Sequence, residues 1–265
     1  MIIILLILLI SYILLFLYSL RIRDNSIVDV FWGFGFVLIA TLSFLGSGKW
    51  LHQYAVTLLV LLWWARIVSH IGLRKLKERR EDARYAAWRA EWGSGWYFVV
   101  RSFFQVYMLQ MILMLVVATA ILVVNLPYID TPKWFLIWWE ISNRIWWFFI
   151  LWLLVALSWL IFETIADRQL AEFVRTKKPG EIFTSWLYRY SRHPNYFGES
   201  IFWLGISLIA LPFSYYGLVS FFVITILLLF VSGVPLQEAR YAGRANWEEY
   251  KARTSVFVPW FVSKE

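Results

Sequence analysis

Polar side chains that could perform chemistry are concentrated in one short segment, SRHPNYFGE at residues 191–199. It carries Arg192, His193, Asn195 and Glu199, which supply a cation, an imidazole, an amide and a carboxylate. Apolar stretches flank the segment on both sides. It is therefore either an ordinary water-exposed loop or a reactive site at the membrane surface. Taken alone, the residue types favour the loop.

Composition places this segment in a membrane protein. The chain has 265 residues, of which 61% are hydrophobic and 16% charged, whereas soluble domains carry about 25% charged residues. Continuous apolar runs of the length of a bilayer-spanning helix recur along it, and the first of them, MIIILLILLI, is interpreted as a retained span. The sequence predicts an all-α polytopic membrane protein, a single domain over residues 1–265, with about seven transmembrane helices. The predicted spans lie near 2–20, 27–45, 51–71, 97–125, 144–165, 197–211 and 214–232.

Basic residues predict the orientation of these spans. Lysines and arginines are concentrated after the first, third, fifth and seventh spans and are rare in the other connections. The positive-inside rule then places the N-terminus outside and the C-terminus in the cytoplasm. The same rule accounts for the net charge of +8 without nucleic-acid binding. Segment 191–199 is therefore expected to face the cytoplasm.

Several common kinds of site are excluded or disfavoured by the residues that are missing. There are no cysteines, which rules out disulfides and thiolate chemistry. The three histidines show no HExxH-like spacing, so no metal site is expected. Neither GxGxxG after a strand-like run nor GxxxxGK[ST] occurs, so a Rossmann fold and a P-loop are unsupported.

A few charged residues fall inside or beside the predicted spans. Arg66 and Arg101 lie in the third and fourth, where an arginine either snorkels to the interface or faces a partner or a wet cavity. Asp29, near the start of the second span, is a helix-dipole acid, the partner of Arg66, or a proton donor. Glu163 and Asp167 are four residues apart on one helix face, and a solvated helix end is the default interpretation.

Longer motifs indicate a family. SRHPNYFGES, together with ADRQLAEFVRTKKPGE, LYRY, SGVPLQEAR and EEYKARTSVFVPW, resembles the steroid 5α-reductase-like family, in particular its bacterial branch, a domain of unknown function. RHP-x-Y-x-G also occurs in isoprenylcysteine carboxyl methyltransferases, which share the core fold. The resemblance implies a membrane reductase that holds NADPH in a cytoplasm-facing cavity. It would pass a hydride to the carbon–carbon double bond of a lipophilic α,β-unsaturated ketone, in a bacterial inner membrane or, in a eukaryote, the endoplasmic reticulum.

The resemblance also implies a set of cofactor-binding residues within about 144–265. Asn195 and Glu199 match the N-[FY]-x-G-E motif that contacts the nicotinamide nucleotide, and Asp167 matches an acid in the preceding helix. Arg253 falls in the family's basic C-terminal region. The full set expected from the resemblance is Asp167, Arg175, Lys178, Arg192, His193, Asn195, Tyr196, Glu199 and Arg253.

The catalytic acid is where this chain departs from the family. Animal steroid reductases polarise the ketone with a Gln-Glu pair on an early helix and a tyrosine on the next; the early helices here have no such pair, and Trp63 stands at the tyrosine position. Asp29 is the expected donor if burial keeps it protonated, with Tyr107 next and Arg66 as a further catalytic candidate. Two alternatives stay open: an S-adenosylmethionine-dependent methyltransferase of a membrane substrate, and a non-enzymatic lipid-binding protein.

Overall fold

The computed structural model describes residues 1–69, 81–93, 95–126, 144–178, 180–244 and 246–262. Arg144 and Ile145 are described by their backbone alone. The chain divides into two compact units, Met1–Pro132 and Lys133–Glu265. The second unit contains the predicted cofactor-binding half.

The prediction of an all-helical membrane protein is confirmed. The described residues form helices and no β-strand. One isolated β-bridge joins Ser191 to Ser255. Among them, five helical stretches are long and apolar enough to cross a membrane. They are Ile2–Ile22, Ile27–Leu45, Trp96–Val117, Trp146–Thr176 and Tyr215–Ala239. The helices at the other two predicted spans, Leu51–Ile67 and Pro194–Ala210, have 17 residues each. Seven spans, and the orientation of the termini, therefore stay predictions.

The first unit is a set of packed helices. Its helices are α1 (Ile2–Ile22), α2 (Ile27–Leu45), α3 (Leu51–Ile67), α4 (Ala83–Trp92), α5 (Trp96–Val117, with a π-helical segment over Ser102–Met108) and α6 (Thr119–Asn125).

Two features of α2 explain this packing. A Cβ on Gly35 would lie 2.3 Å from Sδ of Met114, so glycine lets α2 and α5 approach closely. At the other end of α2, the buried Asn125 amide donates to the Ala40 carbonyl at 3.2 Å and to Oγ1 of Thr57 at 3.2 Å. These bonds tie α6 to α2 and α3, as buried polar groups must find partners.

The second unit surrounds one long helix. It comprises α7 (Arg144–Thr176), a 3-10 turn (Trp186–Arg189), α8 (Pro194–Ala210), a 3-10 turn (Tyr215–Gly217), α9 (Leu218–Ile226, followed by a π-helical segment over Leu227–Val231), α10 (Val234–Ala239) and α11 (Trp247–Arg253).

Helix α8 begins inside the segment that the sequence singled out. Pro194 occupies its first turn, where the missing N–H of proline would have no intrahelical partner. α8 packs along α7, and two glycines make this approach possible. A Cβ on Gly198 would lie 2.9 Å from Cβ of Glu163, and a Cβ on Gly205 would lie 2.8 Å from Cβ of Ala156.

Candidate functional site

A cleft in the second unit brings the start of α8 together with the C-terminal helices. It spans about 470 Å³ of space between the atoms, part of which is open solvent. Its walls come from the end of α7, the 3-10 turn before α8, α10 and α11. The lining residues are Leu170, Ile182, Phe183, Tyr188, Arg192, His193, Asn195, Tyr196, Gln237, Tyr241, Trp247 and Tyr250.

The C-terminal stretch holds the segment before α8 in place. The Arg192 amide donates to the Ser255 carbonyl at 2.8 Å, and Oγ of Ser191 donates to the Phe257 carbonyl at 2.7 Å. These bonds join residues more than 60 positions apart in the sequence. The motifs SRHPNYFGE and TSVFVPW, which the resemblance had paired only by family pattern, are thus neighbours in space.

The side chain of Arg192 lines the cleft, and its hydrogen bonds join α10 to the C-terminal stretch. Its Nε lies 2.8 Å from Oε1 of Glu238, and its Nη1 donates to the carbonyls of Lys251 and Thr254, both at 2.8 Å. The side chain is only 9% exposed. Arg192 therefore fixes the C-terminal loop against α10.

His193 is held by the same carboxylate. Its Nε2 lies 3.3 Å from Oε1 of Glu238, and its ring stacks on that of Tyr196 with 5.4 Å between centroids. Burial lowers the pKa of His193, against the opposing influence of Glu238. The imidazole is therefore neutral at physiological pH and offers the cleft a polar, uncharged wall.

Asn195 links the cleft to a buried acid of α7. Its Nδ2 lies 3.3 Å from Oδ1 of Asp167, which is 5% exposed. Glu163, one turn earlier, is 2% exposed. The interpretation of these two acids as a solvated helix end is thus wrong, because α8 covers them where Gly198 allows it to approach. Glu199 is half-buried and is not among the lining residues of the cleft.

Three basic residues of the expected cofactor-binding set lie on the surface. Arg175 forms an exposed ion pair with Glu172 at 3.4 Å, and Arg253 forms one with Glu249 at 3.0 Å. Lys178 is exposed in the loop after α7. None of the three basic residues lines the cleft. Any contact of theirs with a cofactor remains a prediction.

A second polar cluster lies in the first unit around Asp29. Its Oδ2 accepts from Nη2 of Arg84 at 2.7 Å, and its Oδ1 accepts from the Tyr85 hydroxyl at 2.6 Å. Nε2 of Gln110 lies 3.1 Å from the Tyr85 oxygen. The partner of Asp29 is thus Arg84 and not Arg66. The role of Asp29 as a proton donor stays a prediction.

The other catalytic candidates lie outside this cluster of contacts. Tyr107 is fully buried, with its ring 5.1 Å from that of Phe16. Arg66 lies in the last turn of α3, half-buried, and its carbonyl accepts from Oγ of Ser69 at 2.7 Å. Neither is a hydrogen-bond partner of Asp29.

Sequence reasoning missed most of the cleft: besides the lining residues Leu170, Ile182 and Phe183, it missed polar and further aromatic residues. Gln237 and Glu238 lie in the PLQEAR motif, which carried the resemblance without a role for either residue. The aromatic walls had no signal, because 20% of the chain is aromatic. The other missed residues of the cleft and its frame are Tyr188, Gln237, Glu238, Tyr241, Trp247 and Tyr250. Over the described residues, no three histidine or acidic side chains lie close enough to hold a metal ion.

Comparison with known proteins gives one match. The model of a family of proteins of unknown function, DUF1295, matches residues 15–254, a range that includes both the Asp29 cluster and the cleft. No curated protein and no solved structure matches the chain. Because the family match covers nearly the whole sequence, the chain belongs to the DUF1295 family of proteins of unknown function.

Proposed function

We propose that this protein is a membrane reductase that binds NADPH in the cleft of the second unit. Its substrate is a lipophilic α,β-unsaturated ketone of the steroid or isoprenoid class, and the cofactor supplies a hydride to the carbon–carbon double bond. The observation that supports this proposal is the composition of the cleft. Four residues of SRHPNYFGE, namely Arg192, His193, Asn195 and Tyr196, share it with the aromatic residues of the C-terminal helices.

The lining fits the nucleoside part of such a cofactor. Aromatic faces suit planar rings, while neutral amide and imidazole groups suit ribose hydroxyls and a carboxamide. Asn195 can present its amide while Asp167 orients it from behind at 3.3 Å. The neutral form of His193 avoids a buried charge in this wall.

The phosphates need positive charge, which the lining does not offer freely. Arg192 already serves Glu238 and two carbonyls. In this proposal the phosphates extend from the cleft toward exposed cations of the second unit, with Arg175, Lys178 and Arg253 as the candidates. Arginine binds phosphate in a bidentate way, and the 2′-phosphate of NADPH gives it an added partner.

Polarising the ketone requires a hydrogen-bond donor at the developing negative charge on oxygen. The donor stays a prediction, with Asp29, Tyr107 and Arg66 as its candidates and with Arg84, the ion-pair partner of Asp29, as one more residue to test. The side chain of Arg84 lies in the first unit and is one-third exposed. Its Nη2 binds Asp29, and its Nε binds Asp82. Tyr85 is a weaker choice, because its hydroxyl is engaged with Asp29 and burial raises its pKa.

Nucleotide binding to the purified protein in detergent tests the cofactor assignment. We expect NADPH to bind, and Asn195→Ala to weaken binding by about 1–3 kcal/mol through loss of a buried hydrogen bond. Glu91→Ala is the control, since this exposed residue of α4 belongs to the first unit and does not line the cleft. Binding of S-adenosylmethionine in place of NADPH would indicate a methyltransferase, and binding of neither would indicate a lipid-binding protein.

A turnover measurement with lipophilic enones addresses the donor. Arg84→Gln should keep the NADPH affinity of the parent and lose most of the NADPH oxidation that an enone stimulates. A variant that oxidises NADPH at the parental rate would remove Arg84 from the proposal and leave the cofactor site standing.

A further inference from the structure

The hydroxyl of Tyr188 is a buried polar group with an unusual lack of partners. Tyr188 lies in the 3-10 turn before α8, is 5% exposed and lines the cleft. Its hydroxyl oxygen has no hydrogen-bond partner within the described part of the chain. A buried hydroxyl without a partner is costly, and such groups in native proteins need an explanation.

The rest of this residue is firmly held. Its carbonyl accepts the Tyr250 hydroxyl at 2.5 Å, and its amide donates to the Ser185 carbonyl at 3.1 Å. Its ring packs on Phe183 with 4.7 Å between centroids, and Phe183 in turn stacks on Phe173 at 4.7 Å. These backbone and ring contacts therefore fix the position of the phenol without a hydrogen bond from its hydroxyl.

The surroundings of the hydroxyl belong to the cleft. Asp167, Tyr196 and Tyr241 lie close enough to act on it electrostatically, and the two tyrosines line the cleft. Burial raises the pKa of Tyr188 well above its usual value, so the phenol stays protonated. Beside it, the rings of Tyr241 and Trp247 stack on each other with 5.1 Å between centroids, and both residues belong to the wall of the cleft.

We propose that Tyr188 is a ligand-binding residue whose hydroxyl donates a hydrogen bond to a planar heteroaromatic ring held against the wall of Tyr241 and Trp247. The acceptor is a carbonyl oxygen or ring nitrogen. This chemistry is shared by the carboxamide of nicotinamide and by adenine. The inference rests on the proposed nucleotide site and adds to it the residue that recognises the ring.

Removing the hydroxyl separates a ligand-binding role from a structural one. Tyr188→Phe should leave the Tm of the ligand-free protein unchanged or raise it, because a buried group without a partner is lost. Tyr250→Phe is the matched control: it removes a hydroxyl that bonds to the Tyr188 carbonyl, and it should lower the Tm. A clear fall in Tm for Tyr188→Phe would reveal a structural partner and overturn the inference.

Nucleotide affinity supplies the second readout. Tyr188→Phe should bind NADPH about three- to tenfold more weakly than the parent, the usual effect of losing one neutral hydrogen bond. Reduced nicotinamide mononucleotide and adenosine 2′,5′-bisphosphate, tested separately, identify the ring, since only the half that meets Tyr188 should lose affinity. Unchanged affinity for all three probes would overturn the inference while NADPH binding upheld the proposed function.

The proposed function can fail by itself in the same experiment. If the parent bound S-adenosylmethionine but not NADPH, the reductase would be excluded, and weaker S-adenosylmethionine binding by Tyr188→Phe would uphold the role of Tyr188. If the parent bound neither nucleotide, both proposals would fall.

Discussion

The contact between α7 and α8 at Gly198 gives the sharpest test of how the cleft is built. A Cβ at this position would lie 2.9 Å from Cβ of Glu163, 3.2 Å from its Cα and 3.3 Å from its backbone nitrogen. Two of these atoms belong to the backbone of α7, so no side-chain rotation can relieve the clash. Gly198→Ala must therefore push the two helices apart by several tenths of an ångström.

The expected cost follows from two opposing effects. Overpacking a tight interface costs about 1–3 kcal/mol, while alanine in place of glycine inside a helix returns about 0.5–1 kcal/mol. The net loss of about 0.5–2 kcal/mol corresponds to a fall in Tm of about 1–8 °C for a protein of this size class. The Asn195–Asp167 bond, already 3.3 Å long, spans the same interface. Nucleotide affinity should therefore fall as well.

Thermal unfolding in one detergent, combined with NADPH binding, measures both effects. Gly46→Ala is a suitable control, because its added Cβ would meet only the Ser43 carbonyl, at 3.8 Å, and its φ is −90°. The control should unfold within about 1 kcal/mol of the parent. If Gly198→Ala unfolded at or above the parental temperature, the close approach of α7 and α8 would not be what limits this position.

Two further predictions concern the frame of the cleft. Glu238→Ala should destabilise the protein by about 3 kcal/mol, because it leaves the guanidinium of Arg192 buried without its carboxylate; the matched variant Glu249→Ala, which breaks the exposed pair with Arg253, should cost below about 1 kcal/mol. Equal Tm values for the two variants would contradict this ranking. His193 should make stability depend on pH: its folded pKa lies below the unfolded value of about 6.5, so the unfolded chain binds the proton more readily and stability falls as the pH drops below that value. The Tm of the parent should thus fall further between about pH 7 and pH 5 than that of His193→Asn, and parallel Tm profiles would refute the assignment.

Local patterns were sufficient for the class of the protein and for about a third of the residues that line its cleft. A run of apolar residues predicts a membrane helix by itself, because the bilayer imposes the same length and polarity on every span. Pro194 likewise marks the start of α8 from its own backbone chemistry. For the same reason, residues that are adjacent in sequence, such as His193, Asn195 and Tyr196, could be assigned to one site.

Roles that depend on distant partners were decided by the tertiary structure. Arg66 was the candidate partner of Asp29, but the ion-pair partner proved to be Arg84, 55 positions away from Asp29. Arg192 was predicted only as a cofactor-binding residue, and the structure adds that it binds Glu238 and the Thr254 carbonyl, 62 positions along the chain. Residue type shows that a side chain can carry charge or donate a hydrogen bond. Which group receives that bond depends on how the helices pack, and packing is a property of the whole sequence at once.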